Sequence, residues 1–304
     1  MTQINQQNKR RAEAARRPSR ALPSTIGPWK LVEPAGEGSL GLVYRARPER
    51  ADPDRAATYA LKLLRPEWQD EPAAIRVLAR EALVGRQAPH PNLVPILASS
   101  VGHPPRYLVM PWLEGATLDK RLHDPAQLGL SELLWITRQV TAGLDALHRR
   151  GWTHGDVKPG NVMISPRGHA TLIDAGFAER GGEITAAVDR PVMGTCAYMA
   201  PELLASRLRA DIRSDLYSLG VMMFEAIAGR LPFLGSTPAE LATAHRTAAP
   251  PRLRRIAPHT PRALSELIHR LLAKDPLRRP ATPAELRDWL IRLEIATFGS
   301  DAVA

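Results

Sequence analysis

The stretch His154-Gly155-Asp156-Val157-Lys158-Pro159-Gly160-Asn161, followed by Asp174-Ala175-Gly176, constrains this chain more than any other feature. An acid at 156 stands five residues before an amide at 161 and 18 residues before a second acid at 174. Polar side chains spaced this way act together only if the fold brings two loops to one point. One acid can then accept a proton from a hydroxyl, while the amide and the second acid hold Mg²⁺ on a nucleoside triphosphate. The combination points to phosphoryl-transfer chemistry.

A chain of 304 residues is long enough for one large domain or for two lobes sharing a cleft. Apolar residues at 44% and charged residues at 24% fit a soluble globule. The longest apolar run, Leu219 to Ile227, is short and contains Glu225, so it reads as a buried core helix and no transmembrane segment is expected. One cysteine excludes an internal disulfide and a cysteine metal cluster. The expected location is the cytoplasm.

The net charge of +10 is unevenly placed. Residues 1–20 hold six basic residues against Glu13 alone, and few large apolar ones. Such a segment cannot offset its ordering entropy by burial, so a disordered basic tail is expected over 1–25. A solvated tail is the simplest reading of it. Contact with an acidic partner, nucleic acid or an anionic surface is the functional alternative.

Past the tail the patterning changes once. Residues 29–64 read as strands around a glycine-rich turn, with a polar, proline-containing insert near 47–57. A helix is expected over 71–87 and short strands near Leu93–Ala98 and Tyr107–Met110. From Ser131 the pattern turns helical: Leu133, Ile136, Val140, Leu144 and Leu147 fall on one face. Thr237-Pro238-Ala239-Glu240 and Thr282-Pro283-Ala284-Glu285 each read as a capping box with proline in the first turn. A strand-rich first part and a helix-rich second part predict an α+β fold of two lobes.

Two further features bear on chemistry. Gly36-Glu37-Gly38-Ser39-Leu40-Gly41 lacks side chains where backbone amides would approach phosphates. A strand, not a helix, follows it, which argues against a dinucleotide-binding turn. Lys62 sits in the apolar strand Tyr59-Ala60-Leu61-Lys62, where an unpaired ammonium would be costly, so it needs a partner. Glu81, on the expected helix, is a candidate.

Together these motifs resemble the protein-kinase family in its bacterial Ser/Thr form, over about residues 29–294. The resemblance implies a two-lobed kinase-like fold, with a small strand-rich lobe over 26–110, a larger helical lobe over 111–295 and a short tail over 296–304. It implies ATP and Mg²⁺ as cofactors, with Mn²⁺ as a substitute, and a protein substrate carrying Ser or Thr. Asp156 would be the catalytic acid that positions the hydroxyl, and Lys158 would neutralise the transferring group. Asn161 and Asp174 would hold the metal. Gly36, Gly38 and Gly41 would cover the phosphates, which Lys62 would contact while paired with Glu81. Val43, Ala60 and Met163 would enclose the adenine, with the carbonyl of Pro111 and the N–H of Leu113 bonding its edge. The stretch Gly194–Glu202 resembles the substrate-docking end of the activation segment. Asp215 would anchor the catalytic loop, and Glu202 would pair with Arg279.

Three residues depart from the family pattern. Gly155 replaces an arginine that contacts an activation-segment phosphate, so activity is expected not to require phosphorylation at Thr185, and Thr195 is expected to bond the catalytic loop. Ala175 replaces a phenylalanine. With Gly85 it predicts an under-filled column of side chains between the lobes, near His154 and Ile96, with Phe177 as a candidate filler. Cys196 stands where proline is common. Two alternatives were weighed. A small-molecule phosphotransferase of the aminoglycoside type shares His-Gly-Asp, but the 194–202 and 275–280 elements and Lys158 oppose it. A pseudokinase scaffold fits the losses at 155 and 175, but retention of Lys62, Glu81, Asp156, Asn161 and Asp174 opposes it.

Overall fold

Alternation along two neighbouring strands decides where the polar residues point. The computed structural model describes residues 24–52, 54, 56–124, 128–180, 196–204 and 211–301. The basic segment through residue 23, Thr185, Gly194 and Thr195 lie outside the described residues. Strands β1 (Thr25–Ile26), β2 (Trp29–Glu37), β3 (Gly41–Pro48), β4 (Tyr59–Leu64), β5 (Ala98–Ser100) and β6 (Tyr107–Pro111) form one antiparallel sheet. Its order is β1-β2-β3-β4-β6-β5. Leu61 and Leu63 of β4 join Tyr107 and Val109 of β6 in a cluster with Tyr44 on one face. Leu108 lies on the other face, with Leu78, Ala82 and Ile96, beneath helix α1 (Pro72–Gln87). Lys62 is in register with Leu108. With a side-chain period of two, Lys62 therefore points to the face that α1 covers. On α1, Leu78, Glu81, Ala82 and Gly85 recur at helical spacing, so Glu81 shares the face turned to the sheet and is buried.

The second lobe is helical: α2 (Leu118–Leu122), α3 (Leu130–His148), α4 (Pro201–Leu204), α5 (Ile212–Ala228), α6 (Pro238–Thr247), α7 (Leu253–Ile256), α8 (Arg262–Leu271) and α9 (Pro283–Asp301). The expected face of α3 is buried, from Leu133 through Leu147. Nearly every side chain of α5 from Ile212 to Phe224 is buried too, which makes it the axis of this lobe. Both threonines cap their helices, while Glu240 and Glu285 accept from the N–H groups of Ser236 and Ala281, one residue before the cap. Glu240 N–H donates to Thr237 Oγ1 at 3.2 Å and Glu285 N–H to Thr282 Oγ1 at 3.2 Å. Short strands β7 (Ala116–Thr117), β8 (Trp152–Thr153), β9 (Val162–Ile164), β10 (Ala170–Leu172) and β11 (Glu179–Arg180) pair as β7-β9-β10 and β8-β11 and carry the loops at the cleft. No described helix is long and apolar enough to cross a membrane.

Two expectations are corrected. The strand placed over 93–98 begins only at Ala98, because its first residues bond across to the helical lobe and Ile96 N–H donates to Gly85 O. Val94 N–H donates to Leu172 O at 3.0 Å, and Leu172 N–H donates to Asn92 O at 2.9 Å. The column between the lobes is also not under-filled at Gly85. A Cβ there would lie 2.4 Å from Ile96 Cγ1 and 3.1 Å from Ile96 N, so Ile96 and its backbone already occupy the place.

Gly85→Ala sets two effects against each other. Alanine gains about 1 kcal/mol of helix propensity over glycine. Overpacking costs about 1–3 kcal/mol, and here the obstacle includes backbone that cannot swing aside. A net loss of stability is expected in chemical denaturation, and a melting temperature at or above wild type would contradict the contact.

Candidate active site

One ammonium joins the two lobes. Lys62 Nζ lies 2.7 Å from Glu81 Oε2 and 2.8 Å from Asp174 Oδ1. Burial alone would lower the Lys62 pKa, but Asp174 and Glu81 raise it above the ordinary lysine value. Burial would likewise raise Asp174, yet Lys62, with Lys158 and His154, holds it below the usual carboxylate range. Burial pushes Glu81 up against the pull of Lys62, and the charge of Asp174 adds to that push. The two acids share one cation.

Asp174 reaches this position through unusual backbone. It has φ 64° and ψ 64°, the only positive φ among described residues other than glycine. The left-handed region is sparse for side-chain-bearing residues and costs about 1–3 kcal/mol unless the surroundings impose it. They do so here. Leu172 is bonded to Asn92, and Ile173 N–H donates to Asn161 O at 2.9 Å. Downstream, Ala175–Phe177 forms a single tight turn under α1. A Cβ on Gly176 would lie 2.6 Å from Val77 Cγ1, so glycine permits the approach. Arg80 Nη1 donates to Ala178 O at 2.9 Å and ties the same helix to the segment beyond the turn.

The loop 154–161 is built around Asp156. Asp156 Oδ2 accepts from Lys158 Nζ at 2.8 Å and from Asn161 Nδ2 at 2.8 Å. Asn161 Nδ2 also reaches Asp156 O at 2.8 Å, which leaves the Asn161 carbonyl oxygen as the free end of that side chain. His154 spans the two loops. Its Nδ1 accepts from Asp156 N–H at 3.3 Å and its Nε2 lies 3.1 Å from Ile173 O, a pair that assigns the proton to Nε2. Beneath, Asp215 on α5 is 1% exposed and accepts from the N–H of His154 at 2.7 Å and of Gly155 at 2.9 Å. Gly155 has φ 77°, so the residue read as a lost positive charge also occupies backbone that favours glycine.

The remaining candidates lie in the glycine-rich hairpin, on β3, β4 and β9, and at and just beyond the end of β6. Gly38 N–H closes the glycine-rich hairpin on Gly41 O at 2.8 Å. A Cβ on Gly41 would lie 2.9 Å from Leu63 O, so this glycine is required by the sheet itself, whereas Gly36 has room. Val43 pairs with Lys62 in register and Ala60 with Met110. Met163 pairs with Thr117 and Thr171. Pro111 ends β6 opposite Tyr59, and Leu113 follows half-buried. Trp112 N–H between them donates to Thr58 O at 2.8 Å and ties the crossing to the sheet.

Farther from the cleft, Glu202 and Arg279 form a buried bidentate pair at 2.6 and 2.8 Å. Ser214 Oγ also donates to Glu202 Oε1, at 2.7 Å, and Arg279 stacks 4.8 Å from the Tyr217 ring. The sequence motifs assign no role to Ser214 or Arg80. Adjacency to Asp215 was a signal for Ser214; Arg80 carries none beyond its place before Glu81.

A two-lobed α+β fold with these side chains at the interlobe cleft defines the protein-kinase class. The family model for the protein kinase domain matches residues 29–290, and the chain belongs to that family. It is 31% identical over 260 residues to a probable serine/threonine-protein kinase of Clostridium perfringens, covering 85% of this chain and 37% of that protein. It is 30% identical to the serine/threonine-protein kinase PrkC of Bacillus subtilis, covering 86% of this chain and 39% of the relative. The serine/threonine-protein kinase pkn2 of Myxococcus xanthus is 35% identical, covering 87% and 32% respectively. The chain thus spans less than half the length of these relatives.

Removing one partner of a buried pair strands the other charge, at a cost of about 3–5 kcal/mol. Arg279→Met is expected to destabilise the fold by that amount in urea unfolding. A loss under about 1 kcal/mol, as for exposed pairs, would show that the clamp is not structural.

Proposed function

We propose that this chain is an active serine/threonine protein kinase that transfers the γ-phosphoryl group of ATP to protein hydroxyls. The observation that carries the reading is the convergence of Lys62, Glu81, Asp156, Lys158, Asn161 and Asp174, from four separate segments, on one cleft. Phosphoryl transfer makes little covalent demand on a protein, so positioning and charge neutralisation suffice.

Each residue then has one task. The Asp156 carboxylate accepts the hydrogen bond of the substrate hydroxyl and orients its oxygen for in-line attack. Lys158, already on Asp156, places a positive charge beside the transferring group. Lys62, held by Glu81, meets the nonreacting phosphates, and the glycine-rich hairpin over Gly36–Gly41 covers them. Val43, Ala60 and Met163 would enclose the adenine, and Pro111 and Leu113 would bond its edge.

The donor set fits a metal of the Mg²⁺ type. The Asn161 carbonyl and the Asp174 carboxylate are hard oxygen donors. Among the described residues no group of three His, Cys, Asp or Glu side chains could form an all-protein site. Mg²⁺ characteristically takes one or two protein oxygens and completes its shell with phosphate and water. Asn161 and Asp174 would hold the metal, whose charge would offset that of the phosphates, and Mn²⁺ suits the same donors. The supply of ATP puts the reaction in the cytoplasm.

Asp156→Asn removes the acceptor and keeps the shape. Transfer of labelled phosphate to protein is expected to fall about 10²–10⁴-fold, while binding of a fluorescent ATP analogue persists. Transfer within a few fold of wild type would sink the assignment.

A further inference from the structure

The helical lobe carries a run of exposed arginines that phosphoryl transfer does not use. Between Glu240 and Glu266 the chain holds no acidic residue. Arg246 closes α6, and Arg252, Arg254 and Arg255 lie at and in the single turn of α7. All four are exposed. Among the described residues none of their side chains makes a hydrogen bond or an ion pair, unlike that of Arg262, which holds Glu266 at 2.8 Å. One cation near a helix C-terminus complements the macrodipole. Four unpaired arginines within ten positions, 246 to 255, exceed that need and repel one another.

The position of the run matters. Helix α6 packs against the turn Cys196–Tyr198 and against α4, the end of the segment that resembles a substrate-docking element. We propose that Arg246, Arg252, Arg254 and Arg255 form a docking surface for an acidic segment of the protein substrate, remote from the phosphorylated hydroxyl. This rests on the kinase reading. Arginine forks suit carboxylates, which they bind in bidentate fashion. No Phe, Trp or Tyr stands between 241 and 265, so there is no platform on which bases could stack. The same stretch exposes no large apolar side chain, so nothing there would enter a bilayer interface.

The test uses two peptides with one alanine-flanked Ser/Thr acceptor, joined by a Gly/Ser linker to a tract of glutamates or, as control, of glutamines. Fluorescence anisotropy reads binding, and phosphate incorporation reads KM and kcat. Wild type is expected to bind the glutamate peptide and to show a KM about tenfold lower for it at low salt, a gain typical of electrostatic capture. In the double variant Arg254→Glu, Arg255→Glu the difference should vanish, with kcat, the KM of the control and the melting temperature unchanged. Equal binding of both peptides by wild type overturns the proposal. So does tighter binding to phosphatidylglycerol vesicles or to a DNA duplex than to the glutamate tract. Binding without any phosphate transfer would support the docking surface and count against the kinase reading, so the two failures are distinguishable.

Discussion

The largely enclosed ammonium of Lys62 is the constraint on which the site depends. Alone in that apolar setting it would cost several kcal/mol. Two carboxylates answer it, one from α1 and one from the loop after β10, at 2.7 and 2.8 Å. Glu81, buried beside it, depends on the same cation. The strand register that aims Lys62 at α1 therefore dictates where the helix must sit and where Asp174 must be held. The helix comes close because Gly85 and Gly176 put no side chain in the way. The left-handed backbone of Asp174 is the local cost of that arrangement.

Beneath this junction the helical lobe works as a base plate. Asp215, buried on the most enclosed helix, receives the backbone N–H groups of His154 and Gly155. The Glu202–Arg279 pair fixes the segment after Tyr198 to the last third of the chain. Buried ion pairs add little net stability over apolar packing. What these provide is direction: each charge is satisfied in one arrangement only, and that arrangement presents Asp156, Lys158 and Asn161 on one side of a loop.

Much of this was legible in the sequence because its signals are local. Helical periodicity placed α3, and threonine, proline and glutamate placed the starts of α6 and α9. The constellation 154–161 with 174 marked the cleft, and an apolar strand containing Lys62 called for a buried partner. What escaped was long-range. The stretch 93–98 looked like a strand because it is apolar and β-branched, but the backbone partners of its first residues lie near residue 172. The under-filled column followed from counting missing side chains at 85 and 175. Whether a small residue leaves a void depends on how close its neighbours come, and Ile96 closes on Gly85. Gly155 read as a lost charge, while its backbone angle was hidden. The isolation of the arginines at 246–255 could not be known until their surroundings were.

The interdependence of Lys62 and Glu81 is the central claim, and a double-mutant cycle tests it most directly. Unfolding free energies of wild type, Lys62→Met, Glu81→Gln and the double variant are measured in urea. If each charge is tolerated only because of the other, the double variant will be less damaged than the sum of the single ones, with a coupling of about 1–3 kcal/mol. Losses that add to within about 0.5 kcal/mol would mean that the two side chains do not depend on each other, and the account of the cleft would be wrong.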